Sequence, residues 1–250
     1  MLNNLLEIYN LSKTYHNKNG EIKAIEKVSF NIKNKEFVSI VGPSGCGKST
    51  ILSILANLLD KSSGDIHFNI KKPKIGYMLQ EDALFSWRNV LDNACLGLEI
   101  NNNLNKENKC YVKKLLIKYG LKDFINSYPN SLSGGLKQRV ALIRTLAINP
   151  DILLLDEPFS ALDYQTRLAM SDDLKKIIKN EEKTVIMVTH DIAEAISMSD
   201  KIIIISKRPG TIKKIINIDL DDNLNPTEKR KDSKFNYYFN LIWKELDIHV

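Results

Sequence analysis

The amino-acid sequence predicts an α/β fold with parallel strands at its core, and the apolar patterns along the 250 residues carry this prediction. Residues 37–41, 152–156 and 184–188 are short apolar runs of strand type. The last two are apolar almost throughout, which is typical of parallel strands covered on both faces. Apolar residues at helical spacing follow the first two runs, so we expect helices to cover the sheet.

A strand-rich stretch precedes this core. Residues 5–9 and 22–32 alternate enough to be strands, and a turn at 16–20 separates them, which predicts a hairpin. Tyr15 closes the first strand. Its ring either stacks on a purine or packs within the protein, and both alternatives stay open.

A glycine-rich loop follows the strand at 37–41 and leads into a helix. Its residues are Gly42, Pro43, Ser44, Gly45, Cys46, Gly47, Lys48, Ser49 and Thr50. Such a loop points its backbone N–H groups inward and cradles an anion. Lys48 would reach the β- and γ-phosphates of a nucleoside triphosphate, and the Ser49 hydroxyl would ligate Mg²⁺. The complete pattern in this context favours triphosphate binding over a plain tight turn.

A second helix start has similar chemistry. Ser133 is placed to cap a helix that runs on through 140–147, and Gly134 and Gly135 expose its first N–H groups. An ordinary capped helix is the alternative. Two anion-binding helix starts form either two sites or one composite site between two copies that meet head to tail.

Polar residues follow several of the predicted strands. Asp156 ends a buried strand, and it fits a partner of Mg²⁺ through water; Glu157 fits a general base for an attacking water. The amide of Gln80 can ligate Mg²⁺ or orient a water. His190 emerges at the same sheet edge, where it either has a purely structural role or contacts the γ-phosphate.

Composition excludes several classes of protein. The net charge of +6 is spread along a lysine- and asparagine-rich chain. This indicates a solvated surface rather than a basic patch that binds nucleic acid, and binding to an anionic membrane surface stays an alternative. Cys46, Cys95 and Cys110 lack metal-ligand spacing, so we expect free thiols in a reducing compartment. Neither a signal peptide nor a run of bilayer-spanning length is apparent, which predicts a cytosolic-facing protein that does not span a membrane.

The remaining chain divides into three parts. Residues 81–129 change to helical periodicity, with an exposed asparagine-rich loop at 101–105. Residues 201–205 and 211–220 complete the sheet with strands. The charged segment 221–234 is typical of a mobile connection. A terminal helix follows, and its apolar face, which we expect to dock on the protein itself, contains Phe235, Tyr238, Phe239, Ile242 and Leu246.

In this order the motifs resemble one family across nearly the whole chain, the ATP-binding cassette subunits of ABC transporters. The matching elements are the aromatic Tyr15, a Walker A loop at 42–50, a Q-loop at Gln80, a signature at 132–135, a Walker B strand ending at Asp156 and Glu157, a D-loop at 160–163 and a switch histidine, His190. The resemblance implies a P-loop NTPase cassette with a RecA-like mixed-sheet core and an antiparallel β subdomain. It implies one ATPase domain over 1–250, with a helical subdomain at 85–140 and a C-terminal extension at 221–250.

The resemblance also implies an ATPase that uses ATP and Mg²⁺. Its catalytic residues would be Glu157, His190 and Lys48, and its metal site would comprise Ser49, Gln80 and Asp156. Two cassettes would meet head to tail, so that each ATP lies between one phosphate loop and the partner's signature. The nucleotide contacts would come from Tyr15, the loop residues 42–50, Gln80, Ser133, Gly134, Gly135 and Asp163.

As partners the resemblance implies an integral membrane permease, which receives residues 80–93 with Phe85 and Trp87, and indirectly an extracellular solute-binding protein. The chain would lie on the cytoplasmic side of the cell membrane, without nucleic acid. Residues 80–93 and 208–210 look like the branch of importers for nitrate, sulfonates and taurine, which predicts a small anionic cargo. A thiamine-precursor pyrimidine is the alternative within that branch.

Three other classes of protein are alternatives to an importer subunit. Soluble ABC ATPases that act on nucleic acid usually carry two cassettes, a coiled-coil insertion or zinc-binding cysteines, none of which this sequence has. A regulator without hydrolysis is disfavoured by Glu157 and His190. Exporter cassettes are commonly fused to membrane helices.

Overall fold

The computed structural model describes residues 4–17, 20–160 and 162–246. Parts of the predicted turn at 16–20, of the loop at 160–163 and of the C-terminal extension lie outside the described residues. The strands are β1 (Asn4–Asn17), β2 (Gly20–Lys33), β3 (Phe37–Val41), β4 (Ser63–Phe68), β5 (Ile75–Met78), β6 (Ile152–Asp156), β7 (Thr184–Thr189), β8 (Lys201–Ile205) and β9 (Ile212–Asn217).

The helices surround these strands. They are α1 (Lys48–Leu55), α2 (Val90–Ile100), α3 (Lys106–Lys118), α4 (Gly134–Ala147), α5 (Tyr164–Asn180), α6 (Ile192–Met198), α7 (Pro226–Lys229) and α8 (Ser233–Glu245), with 3₁₀ turns at Lys122–Phe124 and Pro129–Ser131. No helix among the described residues is long and apolar enough to cross a bilayer.

The first sheet is antiparallel and has the strand order β2-β1-β4. It confirms the predicted hairpin, but β1 continues past residue 9 to Asn17. The register of β1 against β2 shifts between Ile8 and Leu11 and again after Leu11. Such bulges interrupt the alternation of apolar and polar residues, which is why the sequence pattern underestimates the strand.

The second sheet holds the core of the molecule, with six strands in the order β5-β6-β7-β3-β8-β9. Neighbouring strands from β5 to β8 are parallel, whereas β9 is antiparallel to β8. The expected mixed sheet is therefore confirmed, and the region 211–220 contributes a single strand. All residues of β3, β6, β7 and β8 are buried, in keeping with helices on both faces.

The helical insertion forms its own apolar cluster from α2, α3 and α4. Asn89 and Asn105 cap α2 and α3 through their side chains, and the loop 101–105 between them is exposed as predicted. Helix α4 belongs to two cores: Ile143 packs among the insertion, whereas Leu142 packs against the main sheet. This shared helix holds the insertion against the main sheet.

The charged segment 221–234 differs from the expected mobile connection. It contains α7, which has a capping box between Asn225 and Glu228 and packs against α5 and α6. The amide of Thr227 donates to Asp172 Oδ1 at 2.9 Å. The average composition of the segment does not reveal α7, because a capping box depends on two particular residues. Such a cap stabilises a helix by about 1 kcal/mol.

The terminal helix α8 confirms its predicted docking face. Phe235, Tyr238, Ile242 and Leu246 are buried in a cluster with residues of α6, β8 and β9, and Phe239 packs at its margin. The hydroxyl of Tyr238 accepts a hydrogen bond from the Asp219 amide at 3.0 Å. The C-terminal segment thus lies against the main sheet and not apart from it.

Candidate active site

A cleft of about 750 Å³ opens where β3, β6 and β7 end, because parallel neighbours bring their carboxyl ends to one edge. Most of the predicted site residues meet there. The lining consists of Tyr15, Ile22, Ala24, Ser44, Gly45, Gly47, Lys48, Ser49, Thr50, Gln80, Glu157, His190 and Arg208.

The glycine-rich loop forms the floor of this cleft. Gly47 has φ +103° at the start of α1, and a Cβ there would lie 2.5 Å from Ile25 Cγ2, so only glycine fits. Lys48 is buried, and its Nζ donates to the carbonyl oxygens of Gly42 at 2.8 Å and Pro43 at 3.0 Å. Gly42 and the free thiol of Cys46 are buried beneath the loop and do not line the cleft.

Asp156 stands beside the loop with two hydrogen-bond donors. Ser49 Oγ donates to its Oδ1 at 3.0 Å, and the hydroxyl of Tyr77 donates to its Oδ2 at 3.1 Å. Burial raises the pKa of Asp156 above its usual range, although both hydrogen bonds act in the opposite direction. Burial, and next the charge of Asp156, raises the pKa of Tyr77 to about 12, so Tyr77 stays a donor.

Glu157 and His190 meet above Asp156. His190 Nδ1 lies 3.1 Å from Glu157 Oε2, and Gln80 Nε2 approaches the same oxygen at 3.4 Å. Glu157 adopts φ +45°, a left-handed conformation that costs a residue with a Cβ roughly 1–2 kcal/mol. The chain therefore turns sharply at the end of β6, where a carboxylate faces the cleft.

The signature helix start does not reach this cleft within one chain. Ser133 caps α4, its Oγ accepting from the Leu136 amide at 3.4 Å, and both Ser133 and Gly134 are exposed. Asp163 caps α5, accepting from the Thr166 amide at 3.0 Å. Gly134 instead lines a second cleft of about 670 Å³ together with Gln80, Ser160 and Leu162. Ser133, Gly134 and Asp163 therefore lie outside the lining of the main cleft.

Tyr15 lies at the rim of the main cleft. Its ring is 39% exposed, and its hydroxyl is 3.3 Å from Thr50 Oγ1. Tyr15 is therefore not packed in the core, which was one of the two alternatives. A partly exposed aromatic ring therefore borders the phosphate loop, with Lys13 Nζ 5.4 Å from the ring centroid.

Sequence reasoning missed two residues of the site. Arg208 lines the cleft, and its Nε and Nη2 donate to Gly45 O at 3.1 and 2.8 Å. Tyr77 holds Asp156. Tyr77 lies in β5, the neighbour of β6, and Arg208 follows β8, the neighbour of β3. Finding them would require the order of the strands, which one sequence does not give.

The oxygen donors of the cleft fit Mg²⁺ bound together with a triphosphate. A serine hydroxyl, a carboxylate and an amide oxygen come from Ser49, Asp156 and Gln80, and hard oxygen donors are what Mg²⁺ takes. The described residues contain no group of three or more His, Cys, Asp or Glu that could hold a metal ion. Such a sparse donor set suits an ion whose other ligands are phosphates and waters.

Comparison with known proteins finds a matching family and similar sequences. The family model described as ABC transporter matches residues 25–160. The chain is 44% identical over 248 residues to the uncharacterized ABC transporter ATP-binding protein YtlC of Bacillus subtilis, covering 97% of this chain and 95% of that protein. It is 39% identical over 234 residues to the aliphatic sulfonates import ATP-binding protein SsuB of Bacillus cereus, covering 92% and 90%.

A solved structure is similar at the level of the fold. It is the dimeric post-hydrolysis state of the ATP-binding cassette MJ0796 bound to ADP and Pi, with a TM-score of 0.73 and 34% identity. The match covers 86% of this chain and 99% of that chain.

Proposed function

Because this chain belongs to the family of ABC transporter ATP-binding subunits, we propose a role in ATP-driven transport for each part of its cleft. The chain is an ATPase: it binds ATP and works with a second cassette. The observation that carries the residue-level proposal is the contact of Glu157 with His190 over the phosphate loop. We treat 1–250 as one ATPase domain, 85–140 as its helical subdomain and 221–250 as its extension.

Nucleotide binding uses the loop and the rim. The exposed ring of Tyr15 stacks on the adenine, and the loop of residues 42–50 holds the phosphates through its backbone N–H groups, of which Pro43 has none. The ammonium group of Lys48 donates to carbonyl oxygens of its own loop. When ATP binds, it donates to oxygens of the β- and γ-phosphates instead.

The metal site consists of Ser49, Gln80 and Asp156. Their oxygens hold Mg²⁺, which when bound neutralises charge on the β- and γ-phosphates. The 3.0 Å bond between Ser49 and Asp156 supports this assignment, since it brings a hydroxyl and a carboxylate to one side of the loop. Tyr77 keeps the Asp156 carboxylate oriented.

Hydrolysis depends on Glu157 and His190. Glu157 accepts a proton from the attacking water, as a general base within hydrogen-bonding reach of it. His190, 3.1 Å from Glu157, orients that carboxylate and contacts the γ-phosphate. Lys48 meets the negative charge that develops on the transferred group.

The partner cassette completes the site. Ser133, Gly134 and Gly135 and the capping residue Asp163 contact the ATP held by the other copy, in a head-to-tail dimer. This proposal is supported by their position outside the cleft of their own chain and by the exposed N-terminus of α4, where the helix dipole favours an anion. ATP then closes the dimer and hydrolysis opens it.

The permease contacts the segment 80–93, on the cytoplasmic side of the membrane. Phe85 and Trp87 stack with centroids 4.8 Å apart, and Trp87 is 71% exposed, which suits a protein interface. The direction is import, and the cargo a small anionic solute delivered by an extracellular binding protein, as supported by the SsuB relative. A thiamine-precursor pyrimidine is the second candidate cargo.

The test is a pull-down of tagged Glu157→Gln protein with ATP from detergent-solubilised native membranes. Mass spectrometry should find a polytopic permease. The Lys48→Ala variant, which cannot retain ATP, is the matched control for the nucleotide-dependent state. Recovery of ribosomal or DNA-associated proteins without a permease would contradict the transporter role and favour a soluble ATPase.

A further inference from the structure

A buried carboxylate lies directly behind the His190 loop. Glu194, on α6, is 3% exposed, and its Oε2 accepts a hydrogen bond from Thr189 Oγ1 at 2.8 Å. The Asp191 amide donates to the same Thr189 oxygen at 3.0 Å. Both chain neighbours of His190 are therefore held through Thr189 to Glu194.

An arginine of another element reaches the same loop. Arg167, in the first turn of α5, donates from Nη1 to Asp191 Oδ2 at 3.3 Å and from Nη2 to Leu162 O at 3.1 Å. Its Nε lies 3.6 Å from Glu194 Oε1. One guanidinium thus connects the loop before α5 with the loop that carries His190.

A second arginine comes from the C-terminal segment. Arg230 follows α7, which packs across α5 and α6, and its Nε and Nη2 are buried without a hydrogen-bond partner among the described residues. Burial, and next the charge of Asp191, raises the pKa of Glu194 to about 7; Thr189, Arg167 and Arg230 act in the opposite direction. Thr189 and Asp191 of its own loop and Arg167 of α5 contact Glu194 directly.

A structural role alone explains this cluster poorly. A buried charge that is not fully hydrogen-bonded is costly, and replacing it by a neutral group is often stabilising. Glu194 has one short hydrogen bond and two arginines whose buried nitrogens are incompletely paired. The hydrogen-bond partner of Glu194, Thr189, directly precedes His190, which lines the cleft.

We propose that Glu194 is a positioning residue for His190, and that Arg167 holds its carboxylate in place. The inference rests on the proposed role of His190 in hydrolysis. Arg230 follows α7, which packs against α5 and α6, so it is tested as a second support of the same cluster.

The first test is Glu194→Gln, which keeps the shape and an acceptor for Thr189 but removes the charge. We expect kcat to fall by about 10- to 100-fold, the scale of a small misplacement of a catalytic group, with the KM for ATP within about twofold. The melting temperature should be unchanged or higher. Glu182→Gln, an exposed carboxylate paired with Lys35, is the control and should match the wild type.

The pH profile of kcat supplies a readout that a structural role would not move. In the wild type, lowering the pH through about 7 protonates Glu194 and should reduce kcat. Glu194→Gln should lack this part of the acid limb. Wild-type kcat and profile in the variant, or a loss of kcat that accompanies a lowered melting temperature, would overturn the inference.

The second test addresses the C-terminal segment. Arg230→Met should lower kcat with an unchanged KM, whereas Lys231→Met, its exposed neighbour, should not. Arg167→Lys should recover part of the activity lost in Arg167→Met, because it restores the positive charge. Equal kcat in Arg230→Met and Lys231→Met would exclude the effect of the segment.

Failure of the proposed function would look different. If the unmodified chain hydrolyses no more ATP than Lys48→Ala, the assigned site is wrong. If it is active and Glu194→Gln equals it, only the positioning inference is wrong.

Discussion

Glu157 and His190 are 33 residues apart in the chain, yet Oε2 of one and Nδ1 of the other lie 3.1 Å apart. They follow β6 and β7, which are parallel neighbours, so their side chains emerge at the same edge. The contact places a carboxylate and an imidazole over the phosphate loop.

Glu157→Gln should lower ATP turnover by about 10²-fold or more, because the amide cannot accept the proton of the attacking water. ATP binding should persist, so an ATP-bound dimer should be visible by gel filtration. Turnover is measured as phosphate release at saturating ATP. An unchanged rate would refute the role of Glu157 as general base.

Tyr77→Phe should raise the Mg²⁺ concentration needed for half-maximal hydrolysis by about tenfold, the lower end of effects seen when a group behind a metal ligand is removed. The change deletes the phenol that donates to Asp156 Oδ2. A Mg²⁺ titration of the ATPase rate measures it. Tyr128→Phe alters an exposed tyrosine and serves as control; equal titration curves for all three proteins would contradict the prediction.

Glu194 should make the folded state less stable as the pH rises from about 4.5 to 7. Its pKa is raised from the ordinary 4.5 to about 7, so within this window the folded state binds the proton more tightly than the unfolded state does. The shift corresponds to roughly 3 kcal/mol. Urea denaturation at pH 5 and pH 8 should show a smaller difference in Glu194→Gln than in the wild type. An equal difference in the free energy of unfolding between pH 5 and pH 8 in both proteins would contradict the raised pKa of Glu194.

Trp87→Ala should weaken capture of the permease by at least several-fold, because it removes an exposed aromatic from the proposed interface. Its melting temperature should stay close to that of the wild type, since the side chain is mostly exposed. Quantitative pull-down with a purified permease is the measurement. Trp243→Ala, which removes the ring stacked on Phe239 of α8, is the matched control. Comparable capture by Trp87→Ala and the wild type would remove this surface from consideration.

Much of the fold was predictable because it depends on local patterns. Apolar runs predicted β3, β6, β7 and β8, and helical spacing predicted the docking face of α8. The length of β1 was not predictable, because bulges interrupt its alternation. The helix α7 was hidden for the reason that its stability comes from a capping box in a charged context.

The candidate site divides in the same way. The phosphate loop, Asp156, Glu157 and His190 could be found because each is marked by a neighbouring strand or by glycine spacing. Tyr77 and Arg208 carry no such mark, and only the order of the strands brings them to Asp156 and the loop. The cluster around Glu194 combines residues of α5, α6 and the loop that carries His190.

By itself, the sequence determined the types of the elements, the anion-binding loop and the order of motifs that identifies the family. These features arise from backbone propensity and from residues close together in the chain. The tertiary structure alone decided which distant side chains meet, that the signature lies outside its own cleft, and that Arg167 of α5 reaches the His190 loop. The physical reason is that such contacts depend on strand order and helix packing, which are set by the whole core and not by any one segment.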